Sequence, residues 1–391
     1  MEHVTRSAVR ERKTESDANG PAPQQVGRFY LPELDLVRLV AFLLVFSSHV
    51  VPGDAEFYRA AHIPTALGTV IVAAAAGGAF GVDLFFALSS FLITTLLLRE
   101  GRSTGTIDVW SFYARRVLRI WPLYFAFLLI VTPLVRHWLP DDALGLRYTL
   151  AFALFVGNWA CVLWGYPHSI AGPLWSVSIE EQFYLAWPLL LRRASRHLYP
   201  ALAVLLAVSV VARIVLVTAG AVHPEIWCNT IARLDPIVGG ALLAAVTSRR
   251  SQAPAGWLRC ILLCSGFGLF SLAGHFGDFA GLRSLITYPT VALAACSFIL
   301  GSLYLPAEYA RNPVLRAMTF LGKISYGLYV FHFLFISLLE VSSAHALGPR
   351  FALACTALAC TTIAAAMSYY LLERPFLALK AKFTHIQSHP I

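Results

Sequence analysis

Charge is scarce in this sequence: 13% of its 391 residues are Asp, Glu, Lys or Arg, about half the share usual in soluble domains. That deficit excludes an ordinary water-soluble enzyme, whose surface would need the missing charges. Acidic residues are the scarcer sign, 21 against 30 basic ones. The basic excess gathers in short segments between apolar runs and forms no stripe interleaved with aromatics, so it signals membrane topology and no nucleic acid is expected as a partner. Residues 1–30 are polar, of mixed charge, and lack an apolar core, so no cleavable signal peptide is expected there. Metal-ligand spacing is also missing. Of the seven cysteines, Cys260, Cys264, Cys296, Cys355 and Cys360 lie in or beside apolar runs, where they read as small packing residues and not as zinc ligands. Cys161 and Cys228 sit near expected loops, and nothing in the sequence supports pairing them. Internal repeats are not evident.

What the chain has in abundance is apolar length. Hydrophobic residues make up 58% of it and the mean hydropathy is +0.67. Runs of the length a hydrocarbon core of about 30 Å requires recur at 33–52, 68–98, 118–136, 148–164, 174–191, 199–219, 231–247, 257–274, 282–304, 321–341 and 350–372. The expected fold is therefore all-α, a polytopic membrane helix bundle. Lys and Arg collect before Leu31, over Arg99 to Arg119, in "RRASRH", in "SRRSQAPAGWLR", over Arg311 to Lys323 and from Arg374 onward. Those segments are expected on the cytoplasmic side. With 137–146 external and "RRASRH" internal, only one crossing fits between them. The run at 148–164, which contains "VGNWA" and leads into "GYPHSIAGP", is then a re-entrant or interfacial piece sheltered by protein. About ten transmembrane helices result, with both termini cytoplasmic, a polar tail at 1–30, a membrane domain at 31–377 and a second tail at 378–391.

Polar residues inside apolar runs are the next signal, because an Arg at the centre of a span costs roughly 2.5–3.5 kcal/mol and needs an interior partner. Arg38 and His49 lie in "LVRLVAFLLVFSSHV". Their spacing is three helical turns plus about 20°, which puts them on one face about 16 Å apart. Snorkelling of Arg38 and simple capping by His49 are the bland alternatives. A second cluster, "GPLWSVSIEEQFYLAWP", brings Ser176, Ser178, Glu180 and Glu181 into a span. Adjacent carboxylates cannot share a helix face, so at most one of the two lines a cavity. The third, "FYARRVLRIWPLY", carries Arg115, Arg116 and Arg119, either a topology anchor for anionic lipid or a clamp for a phosphorylated donor. Smaller signals are Asp83, Arg233 with Asp235, Ser325, Tyr326 and His332, and Glu373 with Arg374.

Taken in order, "LDLVRLVAFLLVFSSH", "GVDLFFALSSFLIT", "YARRVLRIWPLY", "LWSVSIEEQFYLAWP", "ARLDPIVGGALLA", "ISYGLYVFH" and "ERPF" closely resemble the acyltransferase 3 family of integral-membrane O-acyltransferases, from about residue 31 to 377. Ser90 stands where members often have glycine, and "YVFHF" replaces a commoner leucine-tryptophan-histidine pattern. The resemblance implies a catalytic role for His49, with Arg38 as its partner in the family's arginine-histidine motif. It sets Glu180 or Glu181 on the acidic motif and the three arginines on the basic one. It further implies transfer of an acyl group, usually acetyl from acetyl-CoA or another acyl-CoA, to a hydroxyl of a glycan such as O-antigen or exopolysaccharide, in the cytoplasmic (inner) membrane. The lipid bilayer, the acyl-CoA and the hydroxylated acceptor are the expected partners, and the oligomeric state stays open. Nothing in the length leaves room for an added soluble hydrolase-like domain, which argues against the two-domain peptidoglycan-modifying branch.

On this reading Arg115, Arg116 and Arg119 hold CoA phosphates, Arg38 positions the thioester end, His49 deprotonates the acceptor and Glu180 orients His49. An acyl-His49 intermediate is left open. Two alternatives stand beside it: acylation of a secondary metabolite such as a macrolide, and, from a different class, a secondary transporter, whose spans also carry buried charge.

Overall fold

The computed structural model of the chain describes residues 31–139, 144–248, 254–277, 279–303 and 312–379. The expected tail at 1–30, and that at 378–391 from residue 380 onward, lie outside the described residues. Everything regular among the described residues is helical. The first helix, α1 (Pro32–Val50), opens with Pro at its first turn and Glu33 and Asp35 against its positive end, and closes with His49 in its last turn. It is followed by α2 (Thr65–Gly78) and α3 (Gly81–Thr104), which stops where Gly105 turns left-handed at φ 77°. The Asp108 side chain caps α4 (Val109–Ala126) by accepting from the Ser111 backbone N–H, and α4 runs on through a π turn at Phe127–Val131.

Two helices of 8 residues each, α5 (Leu146–Ala153) and α6 (Gly157–Trp164), follow. At about 12 Å apiece neither can span the hydrocarbon core. The break between them places Phe155 at a positive φ of 54°. Its carbonyl is satisfied by the Gln182 amide at 2.9 Å, and Gln182 also donates to Asn158 at 2.8 Å and accepts from Thr230 at 2.7 Å. The carbonyl at this break is thus satisfied by a side chain of a neighbouring helix, as irregular backbone at membrane depth needs.

The chain continues through α7 (Trp175–Ala194), α8 (Leu198–Thr218), α9 (Leu234–Thr247), α10 (Gly256–Phe276) and α11 (Ser284–Ser302). Beyond them lie α12 (Pro313–Lys323), α13 (Ser325–Leu338) and α14 (Leu347–Ser368), the last extended by a π turn at Tyr369–Glu373. By length and composition, six stretches among the described residues can cross a membrane: Thr65–Thr104, Val109–Val135, Gly172–Thr218, Gly256–Phe276, Ser284–Ser302 and Leu347–Leu379. The pair α12 and α13, bent by 74°, makes a seventh if taken as one broken span. The sequence reading counted about ten. The difference is α1, which carries Glu33, Asp35 and Arg38, α9, which has only 14 residues, and the 47-residue stretch Gly172–Thr218, which covers two of the apolar runs.

Between helices in lipid, close backbone approach replaces the hydrophobic effect as the source of adhesion. Gly240 on α9 meets α3 so closely that a methyl there would stand 2.1 Å from the Ala87 carbonyl oxygen, and a methyl on Gly274 would lie 2.1 Å from that of Ala73. The first contact joins α9 to α3 and the second α10 to α2, and α3 sits in the middle of the bundle against α1, α7, α9 and α11. Outward, α8 exposes Val204, Leu206, Val211 and Val215, an apolar exterior suited to acyl chains. Cys161 and Cys228 are both buried free thiols.

Candidate active site

Where α1, α3, α4, α7 and α13 converge, a cavity opens. Helical spacing explains its lining. On α7, Glu180 and Tyr184 are one turn apart and share a face; Ser325 and Tyr329 do the same on α13, and Phe85 and Ser89 on α3. Glu180 accepts from the Ser89 hydroxyl at 2.9 Å and from the Tyr184 hydroxyl at 3.1 Å. Ser176 and Tyr329 are joined through their hydroxyls at 2.7 Å, and the Tyr326 hydroxyl donates to the Ile120 carbonyl at 3.1 Å.

Three guanidinium groups reach this space: Arg38 from α1 and Arg116 and Arg119 from α4. Arg38 is paired with Asp35 one turn earlier. Arg116 lies 5.4 Å from the ring centroids of both Phe112 and Tyr184. Among the described residues, neither Arg116 nor Arg119 has a carboxylate within ion-pair distance. Two half-buried cations with no carboxylate in direct ion-pair contact make a site suited to an anionic ligand.

Of the residues singled out in the sequence, the structure brings Arg38, Arg116, Arg119, Ser176, Glu180, Ser325 and Tyr326 together around the cavity. The others fall elsewhere. Arg115, expected in the same phosphate clamp, does not line the cavity and is drawn instead to Glu100 on α3 at 3.3 Å, although it stands one turn from Arg119 on α4. Glu181 leaves the cavity face, as adjacent positions on a helix must, and accepts from the Trp121 indole at 3.1 Å. Ser178 is fully buried and does not line the cavity. Asp83 and Arg233 form a completely buried ion pair between α3 and the start of α9, with Arg233 also donating to the Trp227 carbonyl at 2.8 Å and lying 4.2 Å from that indole's centroid. Asp235 is held bidentately by Arg213, at 2.7 and 2.9 Å. These last three residues, expected as cavity candidates, are interhelical fasteners. Replacing Arg233 with alanine leaves Asp83 buried without its partner, so we expect a loss of roughly 3–5 kcal/mol in stability. Thermal unfolding in detergent checks this; a wild-type melting curve would contradict it.

His49 is not among the cavity-lining residues. Its Nδ1 sits 2.8 Å from the Val45 carbonyl, and since a carbonyl only accepts, the Nδ1–H donates and Nε2 keeps the basic lone pair. The expectation that Glu180 orients His49 is therefore corrected: both Glu180 oxygens are taken by Ser89 and Tyr184, and the backbone of α1 sets the ring. Instead His49 faces His332, with ring centroids 5.2 Å apart at 71°, and Phe333 at 5.3 Å. His332 in turn lies 5.3 Å from the cavity-lining Tyr329 ring. The sequence reading gave Ser89, Tyr184 and Tyr329 no role and named His332 only as a minor signal. Their one-turn offsets from Phe85, Glu180 and Ser325 were the available clue.

A family model described as an acyltransferase domain matches residues 31–370. The chain belongs to this family. It is 28% identical over 376 residues to a Staphylococcus aureus protein provisionally named an O-acetyltransferase, covering 89% of this chain and 57% of that protein. It is also 26% identical over 382 residues to the peptidoglycan O-acetyltransferase OatA of Listeria monocytogenes, covering 89% and 56%. A Bacillus subtilis protein provisionally named a peptidoglycan O-acetyltransferase is 28% identical over 375 residues, covering 88% and 55%. The chain thus spans a little over half the length of each of these relatives. No solved structure matches it. The multi-pass membrane protein described above is therefore a member of an acyltransferase family.

Proposed function

We propose that the protein is a membrane O-acetyltransferase that takes the acetyl group of acetyl-CoA and passes it to a hydroxyl of a glycan. The observation that carries this reading is the cavity lined by Arg38, Arg116 and Arg119, two of whose guanidinium groups lack a paired carboxylate, ending at Tyr329 beside the imidazoles of His332 and His49. Arg116 and Arg119 hold the phosphates of CoA through planar, bidentate contacts. Arg38, held by Asp35, steadies the pantetheine end, and the thioester comes to rest toward Tyr329. The acceptor oxygen loses its proton to His49 Nε2 and bonds to the thioester carbonyl carbon; the C–S bond breaks and CoA departs. With both termini cytoplasmic, the donor arrives from the cytosol and the acceptor meets His49 near the opposite face.

The names of the Listeria and Bacillus relatives reopen the peptidoglycan-modifying branch that the sequence reading set aside, and a glycan of N-acetylated hexosamines is the acceptor class they support. The test is purified full-length protein in lipid nanodiscs with acetyl-CoA and chitotetraose, reading free thiol and the mass of the oligosaccharide. Thiol release matched by a 42-dalton gain per ester supports the reading. Intact acetyl-CoA and unmodified sugar would overturn it in favour of transport.

A further inference from the structure

His332 has no chemical role in the reading so far, yet it is fully buried and its Nε2 has no hydrogen-bond partner. Buried nitrogens are almost always partnered, and one left bare is costly unless something occupies it during function. Its geometry repeats that of His49. The Nδ1 of each ring lies against a carbonyl of its own helix, Tyr329 for His332 and Val45 for His49. Both rings are thereby held in the same tautomer, with basic Nε2 lone pairs. The two imidazoles meet edge to face across α1 and α13, 5.2 Å between centroids, among the rings of Phe42, Tyr329 and Phe333. The carboxylate expected to assist His49 is engaged elsewhere, with Ser89 and Tyr184. His332 also stands nearer the cavity than His49 does, next to Tyr329.

We propose that His332 is the proton partner of His49, forming a two-imidazole relay between the acceptor and the donor cavity. This rests on the acyltransferase reading above. The proton leaves the acceptor hydroxyl for His49 Nε2 and passes to His332 Nε2. The acceptor oxygen forms its bond to the acyl carbon, the carbon–sulfur bond breaks, and the departing CoA sulfur takes a proton from the imidazole pair. One proton leaves an oxygen and one reaches a sulfur, so the pair returns to its neutral state each cycle. His332 thus supplies the outlet that an isolated histidine in an apolar shell would lack.

The experiment compares wild type, His332→Gln and His332→Ala in nanodiscs with acetyl-CoA and chitotetraose. Glutamine keeps an acceptor atom and similar bulk but cannot carry a proton. A relay predicts that both variants lose about 10²-fold in kcat, the lower end of general acid–base assistance, with the KM for acetyl-CoA unchanged. Rescue by glutamine to near wild-type kcat would reduce His332 to a hydrogen-bond acceptor and overturn the relay. A proton inventory on the wild type in mixed H₂O and D₂O needs no variant to fold: a bowed dependence of kcat, from two protons in flight, supports the relay, and a straight line refutes it. Wild-type turnover with fully active variants sinks the relay alone. No turnover by wild type sinks the acyltransferase reading and the relay together.

Discussion

His49→Ala should reduce acyl transfer by about 10²- to 10⁴-fold, roughly 3–5 kcal/mol of barrier, because it removes the base that must take the acceptor's proton. Folding should survive. The ring lies at the end of α1 and is only partly buried, and the bond it makes is to the backbone of its own helix, so its loss opens no interhelical ion pair. The variant should therefore elute as wild type, bind acetyl-CoA with unaltered affinity, and fail in turnover. Transfer within about threefold of wild type would remove His49 from the chemistry and leave His332, the imidazole nearer the cavity, as the remaining candidate base.

The second large effect belongs to α4. Substituting Arg116 and Arg119 together by alanine should raise the apparent KM for acetyl-CoA by 10²-fold or more, since each charge-assisted contact to a phosphate is worth about 1.5–3 kcal/mol. At saturating donor kcat should fall far less, because these groups act on the bound donor and not on the migrating acyl carbon. Arg115→Ala supplies the internal control. Its guanidinium is already engaged with Glu100, so donor affinity should stay near wild type even though the same charge is removed from the same turn of helix. If all three arginines shifted KM alike, the phosphate clamp would instead extend over the whole basic face, as the sequence alone suggested. Raising salt should weaken donor binding in wild type more than in the double variant.

These two predictions also mark how far each level of description reaches. The helical, membrane-spanning class follows from composition and apolar run length, because a hydrocarbon medium satisfies backbone polar groups only within helices or closed barrels. The odd status of 148–164 was legible from charge placement, and the two short helices there agree with it. Helical periodicity was enough to say that Glu180 and Glu181 cannot share a face. It did not say which one faces inward, since that depends on what packs against α7. Ser89 from α3 and Trp121 from α4 decide it, each taking one carboxylate.

From the sequence by itself came the all-helical membrane architecture, the family resemblance and the short set of polar residues worth watching, all properties of one segment at a time. Partnership was decided only in three dimensions. Asp83 and Arg233 are separated by 150 positions, and their use of each other's charge as an interhelical fastener depends on how α3 meets α9. His49 and His332 likewise lie on helices at opposite ends of the chain. Their confrontation follows from the crossing of α1 with α13, a long-range packing outcome that no local spacing encodes.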